Sequence, residues 1–204
     1  MKRLGILLSG RGSNFEAIAA NVRAGRIAAE IAIVISNRAS APGLATALGM
    51  GIPALALPSG GLDRETYDSQ LRTVLEEAQV DLVCLAGYMR LLSAGFVRAF
   101  ERRILNIHPS LLPAFPGLDA QAQAVEHGVK IAGCTVHFVD EFLDAGPIVM
   151  QAAVEVLDGD SVQTLSAKIL AEEHRIYSLA IARVLSGAYR IEGRRVVAAT
   201  NRGD

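Results

Sequence analysis

The chain carries little charge of either sign in excess. Its 20 basic and 21 acidic side chains leave a net charge of −1, so no electrostatic footprint for nucleic acid or an anionic membrane stands out. A local basic spot for a phosphorylated metabolite is compatible with that balance. Cysteine is scarce: Cys84 and Cys134 each sit in an apolar, strand-like run, which excludes a disulfide scaffold and leads us to expect a reducing, cytoplasmic compartment. No apolar run is long enough to span a bilayer. The N-terminal LGILLSG is short and ends in a Gly-rich turn, so it reads as a buried first strand and not as a signal peptide. Histidines 108, 127, 137 and 174 show no metal-ligand spacing, and no metal is expected. Cys84 lies in the middle of a core strand, a poor place for a nucleophile. No repeat, low-complexity tract or linker divides the chain.

What is present is an apolar half, 51% of 204 residues, enough for one α/β domain over 1–204. Short apolar runs alternate with helical patterns, the mark of a mostly parallel sheet with helices on both faces, a Rossmann-like fold. Strands are expected over 4–9, 30–36, 53–57, 81–87, 104–108, 133–139 and 148–156. Helices are expected over 15–24, 43–50, 64–78, 93–100, 120–127 and 161–186. Residues 81–87 form a continuous apolar run, as a strand covered on both faces requires. The alternation in 133–139 suggests a strand with one exposed edge, and YRIEGRRVV a small terminal hairpin.

Three segments carry chemistry. SGRGSN follows the first strand and opens a helix: glycines at 10 and 12 let the backbone approach an anion, with the N–H groups of Gly12, Ser13 and Asn14 at a helix N-terminus. The bland alternative is a tight turn with Ser13 or Asn14 as N-cap. In LNIHPSLLP, Asn106 and His108 fall on one face of a strand end while Ile107 enters the core. An amide N–H and an imidazolium N–H converging on one oxygen make an oxyanion site; the alternative is a satisfied structural histidine. In LDAGPIVMQ, Asp144 beside His108 would favour the charged, donating ring, unless it merely caps a turn. His137 reads as a half-buried strand residue somewhat better than as a supporting partner. Glu172 and Glu173 read as a solvated helix face.

Taken with GRGSN, LAGYMRLL, FPG, TVHFV and EEHRIY in order, these segments resemble the folate-dependent formyltransferases, over essentially the whole chain. GRGSN and the lack of an appended domain narrow the resemblance to the branch acting on glycinamide ribonucleotide. The resemblance implies 10-formyltetrahydrofolate as cosubstrate, no metal, no nucleic acid or membrane partner, and a monomer or homodimer. It places the ribonucleotide phosphate site in the N-terminal half and the folate and catalytic loops in the C-terminal half. Asn106, His108 and Asp144 match the catalytic trio. Gly12, Ser13, Asn14 and Glu173 would hold the ribonucleotide, which reverses the solvated reading of Glu173. Arg64, Met89, Arg90, Leu91, Leu92, Asn106, Asp140, Glu141 and Asp144 would line the folate cleft.

One position departs from the pattern. Asp119 stands two residues after Gly117, where the family usually has histidine, and a second carboxylate near Asp144 would alter pH dependence. Two alternatives stay open: a 10-formyltetrahydrofolate hydrolase, and a catalytically impaired folate- or nucleotide-binding homologue.

Overall fold

A computed structural model of the chain describes residues 1–199; the end of the expected 1–204 domain, at 200–204, lies outside them. The elements run β1 (Lys2–Leu8), α1 (Ser13–Arg23), β2 (Ala29–Ser36), α2 (Pro42–Gly49), β3 (Ala54–Ala56), α3 (Arg64–Glu77), β4 (Leu82–Leu85), α4 (Ala94–Ala99), β5 (Ile104–His108), α5 (Ala120–Glu126), β6 (Ile131–Phe138), β7 (Ile148–Glu155), α6 (Val162–Ser186), β8 (Tyr189–Glu192) and β9 (Arg195–Ala198). Each expected element forms, with ends displaced by a residue or two.

The nine strands among the described residues join one sheet in the order β3-β2-β1-β4-β5-β6-β7-β9-β8. The first five positions are parallel, whereas β6 and β7 each run antiparallel to the strand before them. The order reverses between β1 and β4, and such a switch point opens a crevice at the strands' carboxyl ends. The terminal hairpin is no separate appendage: β9 pairs with β7 at Ile148 and Arg195, extending the sheet. The exposed edge expected for β6 is corrected. It lies between β5 and β7 and is buried from Ala132 through Phe138, because its polar residues Thr135 and His137 face other protein groups and not solvent.

Alternation along the strands feeds two cores. Leu4, Ile6, Leu8, Leu105 and Ile107 pack with α1 and α6 residues such as Phe15, Ile176 and Tyr177. Leu7, Val83, Leu85 and Ile104 pack on the other face with Tyr67, Leu71, Phe96 and Phe100 of the α3–α4 layer. Gly5 permits the second packing, since a Cβ there would lie 2.7 Å from Leu75 Cδ2. The long helix α6 starts at a capping box between Ser161 and Thr164 and stops at Gly187, whose φ of 68° is left-handed. Its Tyr177 hydroxyl is shared between the Leu85 and Leu105 carbonyls at 3.1 and 3.0 Å, which pins the helix across β4 and β5. Among the described residues no helix is long and apolar enough to cross a membrane.

Candidate active site

The side chains at 104, 106 and 108 share one face of β5. Ile104 is buried in the α3–α4 core, and Asn106 and His108 continue the row toward the strand's end. Ile107 enters the opposite core, as its alternation required. In the antiparallel ladder Asn106 stands opposite His137 and His108 opposite Thr135, so these four residues occupy one face. Thr135 fixes the chain beyond His108, donating to the Ser110 carbonyl at 2.6 Å and accepting the Leu112 N–H at 3.0 Å.

Asp144 reaches this face from the loop between β6 and β7, where its own φ of 48° is left-handed. Its Oδ2 lies 3.5 Å from His108 Nδ1 and accepts the Gly117 N–H at 2.8 Å, while Oδ1 lies 3.7 Å from His137 Nε2. Both rings are buried, and the Asp144 side chain is 9% exposed. Behind Asp144, Gly146 has no room for a side chain, since a Cβ would fall 1.9 Å from the Phe138 carbonyl oxygen. The loop is thereby seated against the end of β6.

Hydrogen-bond chemistry then assigns roles. His137 Nδ1 is 2.8 Å from the Phe138 carbonyl and must donate to it. In the neutral ring Nε2 is therefore the acceptor for Asn106 Nδ2–H, at 3.2 Å. Burial pushes the His137 pKa below its ordinary value, which favours that neutral form. No other hydrogen bond among the described residues engages Asn106 Nδ2. His137 is thus a buried partner that orients the amide, and the half-buried strand reading is corrected. His108 Nε2 donates to the Phe115 carbonyl at 2.9 Å, while Nδ1 faces Asp144. Both ring nitrogens are engaged by the protein, so the ring joins Asn106 at an external oxygen only where the Phe115 hydrogen bond opens or forks.

At the end of β1, Gly12 itself is the N-cap of α1, with a left-handed φ of 81° and no side-chain cap. Neither Ser13 nor Asn14 caps the helix. No hydrogen bond among the described residues engages the N–H groups of Gly12, Ser13 or Asn14, the arrangement that accepts an anion. The Asn14 side chain turns inward and donates from Nδ2 to Glu173 Oε2 at 2.7 Å, and its buried Oδ1 has no partner among the described residues. Glu173 is 7% exposed, and burial pushes its carboxyl above the usual range against the pull of the Asn14 hydrogen bond. The solvated reading holds for Glu172 alone, which pairs with Arg175 at 2.6 Å. A signal was present: Ile169, Glu173, Ile176, Tyr177 and Ala180 recur at helical spacing on the buried face of α6.

The proposed folate residues fall on four parts of the chain, with Asn106 on β5 described above. Met89 and Leu91 are exposed on the loop after β4, and Phe142 and Leu143 on the loop after β6. Leu92 packs half-buried on the α3–α4 core. Arg90 lies with its guanidinium 4.5 Å above the Tyr67 ring. Asp140 accepts the Phe142 N–H at 2.9 Å, and Glu141 pairs with Arg98 at 2.8 Å. Arg64 is exposed at the start of α3, and no contact among the described residues joins it to the trio. A cavity of ≈ 360 Å³ between α4, the end of β6 and the terminal hairpin touches Asp140 and Glu141 but none of Asn106, His108 and Asp144. Asp119 is exposed in a left-handed conformation before α5, and no hydrogen bond or ion pair among the described residues links it to Asp144. The nearby backbone that does reach Asp144 is Gly117.

Known proteins are similar to this chain over most of its length. Residues 2–181 match the family model described as formyl transferase. The trifunctional purine biosynthetic protein adenosine-3 of Drosophila pseudoobscura pseudoobscura is 47% identical over 93% of this chain, which spans only 14% of that protein. Phosphoribosylglycinamide formyltransferase of Escherichia coli K12 is 42% identical over 91% of this chain and 88% of its own length. The crystal structure of glycinamide ribonucleotide transformylase 1 from Symbiobacterium toebii superposes with a TM-score of 0.96 at 55% identity, covering 98% of this chain and 95% of that one. Strands β1 to β7, the turn at 10–14 and the trio all lie within the matched residues. The chain belongs to the formyl transferase family, among its phosphoribosylglycinamide formyltransferases.

Proposed function

We propose that the protein transfers the formyl group of 10-formyltetrahydrofolate to the amine of N1-(5-phospho-D-ribosyl)glycinamide, in de novo purine biosynthesis, by direct attack. The observation that carries this reading is the meeting of Asn106, His108 and Asp144 on the face of β5 near the switch-point crevice. In the mechanism, the substrate amine adds to the formyl carbon. The oxyanion of the tetrahedral intermediate is held by the second Asn106 N–H and by the His108 ring as it loosens from Phe115. Asp144 stabilises the charged ring and helps pass the amine proton through water to the departing folate nitrogen.

The phosphate of the ribonucleotide fits the open N–H groups of Gly12, Ser13 and Asn14. Glu173, tied to Asn14, would meet the substrate's sugar or amide. The exposed Met89, Leu91, Phe142 and Leu143 offer apolar walls to a pterin and its aromatic ring, with Arg64 and Arg90 available to its carboxylates. This reading goes with a cytoplasmic home, small-molecule partners only, and a monomer or homodimer of a single domain.

Release of tetrahydrofolate from 10-formyltetrahydrofolate, followed with and without the ribonucleotide, tests it. Release that requires the ribonucleotide and yields its formylated product is expected. Release with water alone would identify a hydrolase, and none under either condition an impaired homologue. The open N–H groups at Gly12, Ser13 and Asn14 favour the transferase, since a hydrolase has no phosphorylated amine to hold.

A further inference from the structure

Two consecutive residues of α3 grip the loop at 87–93 from behind. Asp68 is 2% exposed, and its Oδ2 accepts the Ser93 N–H at 2.5 Å. Ser93 in turn caps α4, its hydroxyl accepting the Phe96 N–H at 3.2 Å. The Tyr67 ring underlies the Arg90 guanidinium, and the Tyr67 hydroxyl accepts a long hydrogen bond from Tyr88 at 3.4 Å. Positions 88, 90 and 93 are thereby held by one turn of one helix. The other end of the loop is fixed by Ser9, whose hydroxyl accepts the Met89 N–H at 2.8 Å and whose own N–H donates to the Gly87 carbonyl at 3.0 Å.

The front of the same loop is bare, with Met89 and Leu91 exposed. A backbone fixed from behind under apolar side chains left in solvent suits recognition by a preorganised surface, which avoids ordering a loop when ligand binds. Burying a carboxylate is costly, and here its hydrogen bond holds the Ser93 N–H. Asp68 Oδ1 and Arg90 Nε are moreover buried without partners among the described residues, a defect that a purely structural position would not need.

From this geometry we infer that Asp68, supported by Tyr67, is a positioning residue for the folate cosubstrate: it sets the 87–93 backbone that meets the pterin. The inference rests on the reading of that loop as part of the folate cleft.

Steady-state kinetics with both substrates varied will test it, using Asp68→Ala, Asp68→Asn, Tyr67→Leu and Leu91→Asp. Loss of a hydrogen bond to a charged group predicts that Asp68→Ala raises KM for 10-formyltetrahydrofolate by about tenfold or more, with ribonucleotide KM held within about twofold. Asp68→Asn keeps an acceptor for the Ser93 N–H and should recover most of that loss. Tyr67→Leu, which withdraws the support beneath Arg90, should also raise folate KM, and it serves should Asp68→Ala fail to fold. Variants of Asp68 and Tyr67 that melt earlier yet keep the wild-type folate KM would overturn the inference. If Leu91→Asp raises folate KM while those variants do not, the positioning role alone falls. If Leu91→Asp also leaves it unmoved, the cleft reading and the inference fall together.

Discussion

Asn14 and Glu173 meet through a 2.7 Å hydrogen bond that ties the first turn of α1 to the middle of α6. The bond joins a buried acid to the last residue of the 10–14 turn. It also leaves Asn14 Oδ1 without a partner among the described residues.

Burial raises the folded-state pKa of Glu173 above its ordinary 4.5. Stability from a group shifted upward is complete below the unfolded value and is lost as pH rises through the folded one. Glu173 therefore weakens the fold at neutral pH relative to a neutral isostere. Glu173→Gln should raise the melting temperature near pH 7 by a few degrees, on the order of 1 kcal/mol. Near pH 4 it should bring no gain, and its ribonucleotide KM should rise. Melting curves at the two pH values decide; a Gln variant less stable than wild type at neutral pH refutes the argument.

Removing the proposed oxyanion donors should act on turnover. Asn106→Ala is expected to lower kcat by about 10²–10³, or ~2.7–4 kcal/mol, with ribonucleotide KM little changed. His108→Ala should lose at least as much. It should also destabilise the fold, because the largely buried Asp144 then keeps the Gly117 N–H as its close donor. Comparable losses in kcat and in ribonucleotide affinity for Asn106→Ala would mark a binding residue instead.

His137 should matter through Asn106. His137→Leu removes the acceptor that orients the amide, and a loss of about tenfold in kcat is expected for one buried hydrogen bond. In a double-mutant cycle with Asn106→Ala the two effects should not add. The His137 pKa is depressed by burial from its ordinary 6.5, so its contribution to stability is present above that value and lost as pH falls through the folded one. His137→Gln, which keeps an acceptor and cannot titrate, should retain more activity than His137→Leu and unfold less readily in mild acid. Additive losses in the cycle would remove His137 from the site.

Asp119 is the departure that the sequence singled out, and its exposure changes the expectation. With no bond or ion pair among the described residues to Asp144, Asp119→His should leave the pH–rate profile in place. Displacement of either limb of that profile would show that the loop carries Asp119 to the site during turnover.

Much of this was legible along the chain. The continuous run at 81–87 announced the central strand β4, the helical spacing of 64–78 announced α3, and glycines 10 and 12 announced the turn before α1. Asn106 and His108 could be set on one side because strand alternation is a local property. Glu173 shows where the reading was incomplete: an acidic pair on a helix suggests solvent, but its place in the row of Ile169, Ile176 and Tyr177 pointed inward. His137 carried no such sign, since its meaning depends on standing opposite Asn106 in a ladder between distant segments. Asp68 looked like any helical carboxylate until α3 was docked against Ser93.

The amino-acid order alone determined the succession of strands and helices, the Gly-rich turn before α1 and the two polar residues at the end of β5. These depend on periodicity and backbone preference over a few neighbouring residues. Tertiary structure decided that Asp144 faces His108, that His137 meets Asn106, that Phe115 holds the His108 ring and that Asp119 stays outside. Each of those depends on strand register and on how loops close over a buried face, where residues far apart in the chain are brought within hydrogen-bonding reach.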